Sequence, residues 1–187
     1  MDRKNIFRMP IPMKITGRSS TITAAFVSAI IPAIEPTDDE ILEALEILGM
    51  DEHNVRCAYC GDPMTEWDHL RPLVSQQKPT GFITEIGNLV PSCGKCNQSK
   101  GNKPWREWML GNAGRSPRAR GVADISERVK RLDAYERWRS NDPKNFERMV
   151  PADIWAQHWA NWQAVCALLS ESQKTAAKVR AAIEEQA

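Results

Sequence analysis

The chain contains 187 residues, which suffices for one domain or for a small module with flanking elements. Hydrophobic residues make up 42% of it, enough for a core, and the lack of any run of 18 apolar residues argues against a membrane span. Residues 1–14 contain charges and two prolines but no apolar stretch typical of a signal peptide, so a cytoplasmic location is expected.

The net charge of +1 is unevenly distributed along the chain. Residues 1–94 carry 8 basic and 13 acidic side chains, residues 95–148 carry 14 and 7, and residues 149–187 carry 3 and 4. The central basic block has two interpretations. It is either a solvated face or a surface that neutralises the phosphates of a nucleic acid.

Residues 1–54 are predicted to form a helical scaffold. Residues 20–34 are apolar and predict a buried helix that Pro32 disrupts. Residues 37–48 combine a capping box with an apolar stripe, and Gly49 is expected to end this second helix. No side chain in this region indicates catalysis, and a contact with DNA or with a second copy stays open.

Two C-x-x-C pairs follow, Cys57 with Cys60 and Cys93 with Cys96. Such pairs are typical of a tetrahedral zinc site, because each folds into a tight knuckle with both sulfurs facing one point. Two disulfides are the alternative, and the lack of a secretory leader disfavours them. Four sulfur ligands leave no position for water or substrate, so the predicted zinc is structural.

Polar residues of a second kind lie between the two pairs and just beyond them. Asp68 and His69 are adjacent, Asn88 follows about twenty positions later, and Asn97 comes directly after the last cysteine. Neighbouring strand residues point to opposite faces, so the strand must end or twist if Asp68 and His69 are to act at one site.

Two strands and a helix are predicted around these residues, within a module over residues 55–111. Residues 64–70 are expected to form the first strand and residues 89–90 the second. Residues 97–110 are expected to form the helix, which Pro104 breaks or restarts.

The segments EWDHLRPL and GNLVPSCGKCNQSKGNK resemble the HNH endonuclease family, whose fold is the ββα-metal finger. The resemblance implies an α+β, mostly helical chain, with a small zinc-stapled finger between N- and C-terminal helices. It implies hydrolysis of DNA phosphodiester bonds with one divalent cation. By position, Asp68 and Asn97 would ligate that cation, His69 would be the general base, and Asn88 would orient His69.

The residue types suit this chemistry independently of the resemblance. Phosphodiester hydrolysis needs an activated water and a cation beside the oxygens where charge develops. A neutral imidazole can take the proton of the water near pH 7. The histidines at the first and third positions of the family name are replaced here by Asp68 and Asn97. An oxygen-only set favours Mg²⁺ or Mn²⁺.

Basic residues beyond the last cysteine are candidate DNA contacts. Lys100 and Lys103 lie on the first turns of the predicted helix, where a phosphate is favoured. Arg115, Arg118 and Arg120 lie among glycines and a proline. Such a loop can follow a DNA backbone or read guanine in a groove, or it can be a solvated linker, and both interpretations stay open.

Residues 112–187 are predicted to form a C-terminal helical region. A helix is expected to open near Asp124, and a second, long helix is expected over residues 152–184, which contain no glycine and no internal proline. Apolar residues on the long helix alternate at three- and four-residue steps. Its first half is expected to pack within the chain, and its second half is a candidate surface for a homodimer.

The favoured function is an HNH endonuclease that cuts double-stranded DNA, resembling a type II restriction endonuclease that acts as a two-fold dimer on a palindrome. A phage or mobile-element nicking or homing endonuclease would use the same chemistry. The alternative from a different class is a non-catalytic zinc-ribbon module that only binds nucleic acid. The catalytic-type set of Asp68, His69, Asn88 and Asn97 favours the enzyme, since a binding module needs no imidazole beside a hard-metal site.

Overall fold

A computed structural model describes residues 9–139 and 142–186. The chain divides into two compact units. The first comprises Met1–Phe26 together with Glu147–Ala187, and the second comprises Val27–Phe146. No helix in the described ranges is both long enough and apolar enough to cross a membrane.

The first unit is organised by the long helix α7, Ala152–Glu184. A short 3₁₀ helix, Ile15–Arg18, and the start of helix α1, Ser19–Ser28, pack along it. The Thr23 hydroxyl accepts a hydrogen bond from the Trp162 indole at 3.1 Å. Towards its C-terminus α7 loses these neighbours, and residues 177–186 are all exposed.

The second unit contains helix α2, strands β1 to β4 and helices α3 to α5. The bounds are Asp38–Leu48 for α2, Glu66–His69 for β1, Val74–Ser75 for β2, Lys78–Pro79 for β3, Leu89–Ser92 for β4, Gly94–Lys100 for α3, Trp105–Leu110 for α4 and Ile125–Trp138 for α5. A 3₁₀ turn, Ile86–Asn88, precedes β4, and a last short helix α6, Phe146–Met149, lies at the boundary between the units.

Strands β1 and β4 form an antiparallel pair in which Asp68 lies opposite Val90 and His69 opposite Leu89. Helix α3 follows β4 directly and packs on β1, which completes a ββα finger. Strands β2 and β3 form a separate hairpin inside the loop between β1 and β4. The predicted α+β class with an embedded ββα finger is confirmed.

The core of the second unit contains residues from the N-terminal region, the finger and the C-terminal region that were predicted from the sequence. Helix α2 contributes Ala44 and Leu48, the finger contributes its knuckle residues and the aromatic residues of α4, and α5 contributes Leu132 and Tyr135. Trp108 packs edge-on against Tyr59 with ring centroids 5.1 Å apart. The finger therefore shares one hydrophobic core with the helices on both sides of it.

Helix ends follow local chemistry where the sequence signals were strong. Thr37 and Glu40 form the predicted capping box, and Gly49 ends α2 in the left-handed conformation with φ of 68°. The bounds predicted for α7 are confirmed.

Two predicted helices have different bounds in the structure. The segment predicted as a helix over residues 97–110 restarts after Pro104 as expected, but its first helix begins at Gly94 rather than Asn97. Gly101, with φ of 51°, ends α3, and Pro104 is the N-cap of α4, where its missing N–H costs no helical hydrogen bond. The helix predicted over residues 20–34 ends at Ser28, four residues before Pro32.

Candidate active site and metal centre

The four cysteines of the two knuckles converge on one point. Their sulfur atoms all lie within 4.8 Å of one another, and the Cys60 and Cys93 sulfurs are 3.7 Å apart. Four sulfurs at about 2.3 Å from a tetrahedral zinc would lie about 3.8 Å from each other, which follows from the bond length alone. The cluster fits a metal ion such as zinc.

Each knuckle is shaped by its backbone. Gly61, with φ of 78°, allows the first pair to turn sharply, and its N–H donates to the Cys57 carbonyl at 2.8 Å. Cys93 is the N-cap of α3, and Cys96 lies in its first turn. The C-x-x-C spacing therefore corresponds to one tight turn in the first knuckle and one helical turn in the second.

Two arginine side chains contact the cysteine knuckles. Contacts with the Cys60 and Cys96 sulfurs lower the pKa of Cys57, and contacts with the Cys57 and Cys60 sulfurs raise the pKa of Cys96, because close thiols share protons. The Arg120 guanidinium donates to the Cys96 sulfur at 3.4 Å and to the Asp62 carboxylate at 2.8 Å. Arg128 donates to the Cys57 carbonyl at 3.3 Å. Arg120 thus places positive charge against the sulfur cluster, whereas Arg128 holds the backbone of the first knuckle.

Asp68 lies on the face of β1 that packs against α3, and only 6% of its surface is exposed. The Tyr59 hydroxyl donates to its Oδ2 at 2.7 Å, and the Lys100 ammonium lies 3.1 Å from the same oxygen. Burial raises the pKa of the Asp68 carboxyl, and the charge of Lys100 opposes part of that rise. A protein cation and a hydroxyl thus hold the predicted metal ligand in place.

His69 ends β1, and its ring is partly buried. Its Nε2 lies 2.9 Å from the Thr84 hydroxyl oxygen. Burial, and secondarily the nearby charge of Lys100, lowers the pKa of His69 to about 4. The imidazole is therefore neutral at physiological pH, which is the form that accepts a proton.

Asn88 is 1% exposed and acts on the backbone that follows His69. Its Oδ1 accepts from the Arg71 N–H at 2.8 Å, and its Nδ2 donates to the Arg71 carbonyl at 3.2 Å and the Ile83 carbonyl at 3.1 Å. The partner found for the imidazole is Thr84 rather than Asn88. Asn88 can influence His69 by fixing the chain two residues after it.

Asn97 lies in the middle of α3 and meets a residue that the sequence reasoning missed. Its Nδ2 donates to the Glu66 carboxylate at 2.8 Å. Glu66 precedes Asp68 by two residues on β1, and Asn97 precedes Lys100 by three on α3. These spacings place each pair on one face of its element, so that two contacts link the strand to the helix.

The oxygen donors at this strand-helix contact are of the type that a hard divalent cation selects. Asp68 and Glu66 supply carboxylates, and the Asn97 amide presents an oxygen once its nitrogen donates to Glu66. Few protein ligands and remaining positions for water and phosphate are typical of Mg²⁺ sites. The period-two alternation of β1 could have pointed to Glu66, whereas no sequence signal pointed to Thr84.

The five predicted DNA contacts fall into two groups. Lys103, Arg115 and Arg118 are exposed. Lys100 is fully buried with its ammonium against Asp68, and Arg120 is partly buried against the sulfur cluster. The buried position of Lys100 differs from the expected one because its side chain follows the inner face of α3.

Comparison with known sequences agrees with this geometry. The HNH endonuclease family matches residues 57–103, which begin at the first knuckle cysteine and end just beyond α3. The residues between these limits include both cysteine pairs, β1, β4 and α3. The match to the HNH endonuclease family thus covers the ββα finger and both knuckles, about a quarter of the chain.

Two curated relatives are CRISPR-associated endonucleases Cas9. The chain is 35% identical over 105 residues to that of Corynebacterium diphtheriae, a match covering 54% of this chain and 9% of the relative. It is 29% identical over 134 residues to that of Actinomyces naeslundii, a match covering 61% of this chain and 11% of the relative. The chain thus spans about a tenth of the length of these relatives. No solved structure matches it significantly.

Proposed function

We propose that this protein is a metal-dependent endonuclease that hydrolyses phosphodiester bonds of double-stranded DNA. One observation carries the proposal. His69, an imidazole that burial keeps neutral, ends β1 directly after the buried carboxylate of Asp68, inside the segment that matches the HNH endonuclease family. A proton acceptor beside a hard-metal ligand is what phosphodiester hydrolysis requires.

In the proposed reaction His69 takes the proton of the attacking water. In the tautomer with a proton on Nε2, the ring donates to Thr84 Oγ1, and Nδ1 accepts from the water. The water oxygen bonds to phosphorus as the bond from phosphorus to the leaving sugar oxygen breaks. Thr84 fixes the ring, and Asn88 fixes the backbone after it, so that the imidazole is already oriented before substrate arrives.

Asp68 and Asn97 are the proposed ligands of the catalytic cation, Mg²⁺ or Mn²⁺. Such an ion supplies positive charge beside the phosphate oxygens where negative charge develops. Glu66 orients Asn97 by accepting from its amide nitrogen, which turns the amide oxygen away from Glu66.

The test is cleavage of supercoiled plasmid and linear duplex with Mg²⁺ or Mn²⁺. His69→Ala is expected to lower the rate by about 10²- to 10⁴-fold, the usual contribution of a general base, while zinc content and DNA binding stay unchanged. His53→Ala, at an exposed histidine, is the matched control and should cut normally. Cleavage by His69→Ala at the wild-type rate would remove the proposed mechanism.

For the four-cysteine site we propose a structural zinc ion, since four sulfur ligands leave no open position. Elemental analysis of the purified protein should give one zinc per chain. The proposal includes a cytoplasmic location, where reducing conditions keep thiols available for the metal.

For DNA binding we propose phosphate contacts by Lys103, Arg115 and Arg118, the exposed members of the predicted set. Replacing any one by alanine should weaken binding by a similar factor for all sequences and reduce the salt dependence of log K by about one. A loss confined to one DNA sequence would instead indicate base readout.

A role as a type II restriction endonuclease would further require two copies on one palindromic site. The exposed apolar residues Val179 and Ile183 at the end of α7 are the proposed contact between those copies. Sedimentation of the wild type and of Val179→Glu tests this pairing. A monomer at micromolar concentration that still cuts both strands would exclude the dimer while leaving the nuclease proposal intact.

A non-catalytic zinc module that binds nucleic acid is the competing function, which the basic block of residues 95–148 would also serve. It predicts binding without cleavage under every divalent cation. Tight binding of duplex by a zinc-loaded, folded protein that leaves all DNA ends intact would favour it.

A further inference from the structure

Lys100 is the most buried cation near the proposed active site, and the nuclease mechanism above gives it no role. Its side chain is 0% exposed, although it ends the short helix α3. Lysine is almost never fully buried without a partner, because removing an ammonium from water is costly. A lysine that only served DNA binding would extend into solvent.

The partners of this ammonium are all oxygen atoms. Lys100 Nζ lies 3.1 Å from Asp68 Oδ2 and 3.3 Å from Asp68 Oδ1, and it donates to the His69 carbonyl at 2.6 Å. The Gly101 carbonyl is a more distant acceptor at 3.4 Å. A carboxylate with both oxygens engaged and a nearby carbonyl are also the donors that a hard divalent cation selects.

The same carboxylate cannot serve both cations equally well. An ammonium within hydrogen-bond distance of Asp68 neutralises its charge, and it repels a second cation that approaches the same oxygens. The Tyr59 hydroxyl holds Oδ2 from another direction at 2.7 Å, so the carboxylate stays oriented if the ammonium moves away.

We propose that Lys100 is a resident counter-ion that holds the Asp68 carboxylate in place before the divalent cation binds and leaves it when the cation arrives. Lys100 is thus a positioning residue, and cation binding and the Lys100–Asp68 ion pair exclude each other. The inference rests on the proposed function, because it assumes that Asp68 is a ligand of the catalytic cation.

The test measures Mn²⁺ binding to zinc-loaded protein without DNA, by electron paramagnetic resonance of free Mn²⁺. Lys100→Met is expected to lower the Kd for Mn²⁺ at least about tenfold, because the competing charge is gone. Lys95→Met is the matched control, since Lys95 is exposed on the same helix, and it should leave the Kd within about twofold. An unchanged or higher Kd for Lys100→Met overturns the proposal.

A second readout separates counter-ion exchange from simple loss of packing. Without Mn²⁺, Lys100→Met should melt at a lower temperature than the wild type, and saturating Mn²⁺ should raise its melting temperature by more than it raises that of the wild type. A purely structural lysine gives the same deficit with and without the ion, which would contradict the exchange.

Two further variants keep the result decisive. If Lys100→Met does not fold, Lys100→Gln is measured in its place, because it removes the charge and keeps a donor for the His69 carbonyl. Asp68→Asn distinguishes a failure of the counter-ion role from a failure of the proposed metal site. If it weakens Mn²⁺ binding while the Lys100 variants leave it unchanged, only the counter-ion role is lost. If Mn²⁺ binds none of these proteins, the metal site of the proposed function is lost with it.

Discussion

Tyr59→Phe tests how strongly the first cysteine knuckle supports the candidate active site. Tyr59 lies between the two cysteines of that knuckle, is fully buried, and donates its hydroxyl to Asp68 Oδ2 at 2.7 Å. The change removes this donor and keeps the ring, including its edge-on contact with Trp108. It therefore isolates one hydrogen bond between the knuckle and the carboxylate.

The expected magnitude follows from the charge of the acceptor. A hydrogen bond to a charged group contributes about 1.5–3 kcal/mol, against about 0.5–1.5 kcal/mol for a neutral pair. The charge of the Asp68 carboxylate places Tyr59→Phe within the first range, so a loss of about 2 kcal/mol is expected. Tyr135→Phe is the matched control, because the Tyr135 hydroxyl is also buried but donates to backbone carbonyls of Ile86 and Leu89, and about 1 kcal/mol is expected there.

The assay is urea unfolding of zinc-saturated protein, followed by circular dichroism and tryptophan fluorescence. A double-mutant cycle with Asp68→Ala should give a coupling energy of about 1.5–2 kcal/mol between the two side chains. The reasoning is refuted if Tyr59→Phe costs less than Tyr135→Phe, or if the coupling with Asp68 is close to zero.

Three further predictions concern zinc, pH and a turn. Cys93→Ser should leave the second unit unfolded, since zinc contributes about 10–16 kcal/mol in small zinc domains and ordinary domains are stable by only about 5–15 kcal/mol; retained near-ultraviolet circular dichroism would contradict this. Because the pKa of His69 is lowered to about 4, its imidazole stays neutral as pH falls to 5.5, so cleavage should change little between pH 7 and 5.5, whereas an ordinary pKa of about 6.5 gives roughly an eightfold loss. The His69 imidazole is protonated near pH 6.5 in the unfolded chain but only near pH 4 in the folded protein. The free energy of unfolding should therefore fall as pH decreases from 6.5 to 4, and His69→Gln should remove the part of this decrease that His69 causes. Gln77 holds φ of 63° in the hairpin turn, and Gln77→Gly should raise the free energy of unfolding by about 0.5–1 kcal/mol; a decrease would show that the glutamine side chain stabilises the turn.

The parts of the fold that the sequence predicted well are those set by local chemistry. The capping box before α2 and the uninterrupted run of α7 depend on residues a few positions apart, and both predictions are confirmed. The restart after Pro104 was also predicted, but the earlier end of α3 at Gly101, with φ of 51°, was not, because a glycine in sequence does not state which conformation it will adopt.

The candidate site shows the same division between local and distant interactions. Motif spacing identified the cysteines, whose sulfurs meet as a tetrahedral site requires. The partners of the candidate catalytic residues lie far along the chain, with Thr84 fifteen residues after His69 and Lys100 thirty-two after Asp68. Only the three-residue spacing from Asn97 to Lys100 hinted that this lysine shares the inner face of α3.

Arg71, two residues beyond His69, connects the loop after the candidate base to the C-terminal end of helix α5. Its guanidinium donates to the backbone carbonyls of Glu136 and Arg139 at 2.9 and 3.2 Å, and it pairs with the Glu136 carboxylate at 3.4 Å. The loop after the candidate base therefore serves as the C-terminal cap of α5. A transplantable cassette would have to extend to the end of that helix, about thirty-five residues past the family signature, because a fragment cut at residue 103 would lose both the contact of Arg71 with α5 and six of the fifteen buried residues of its core.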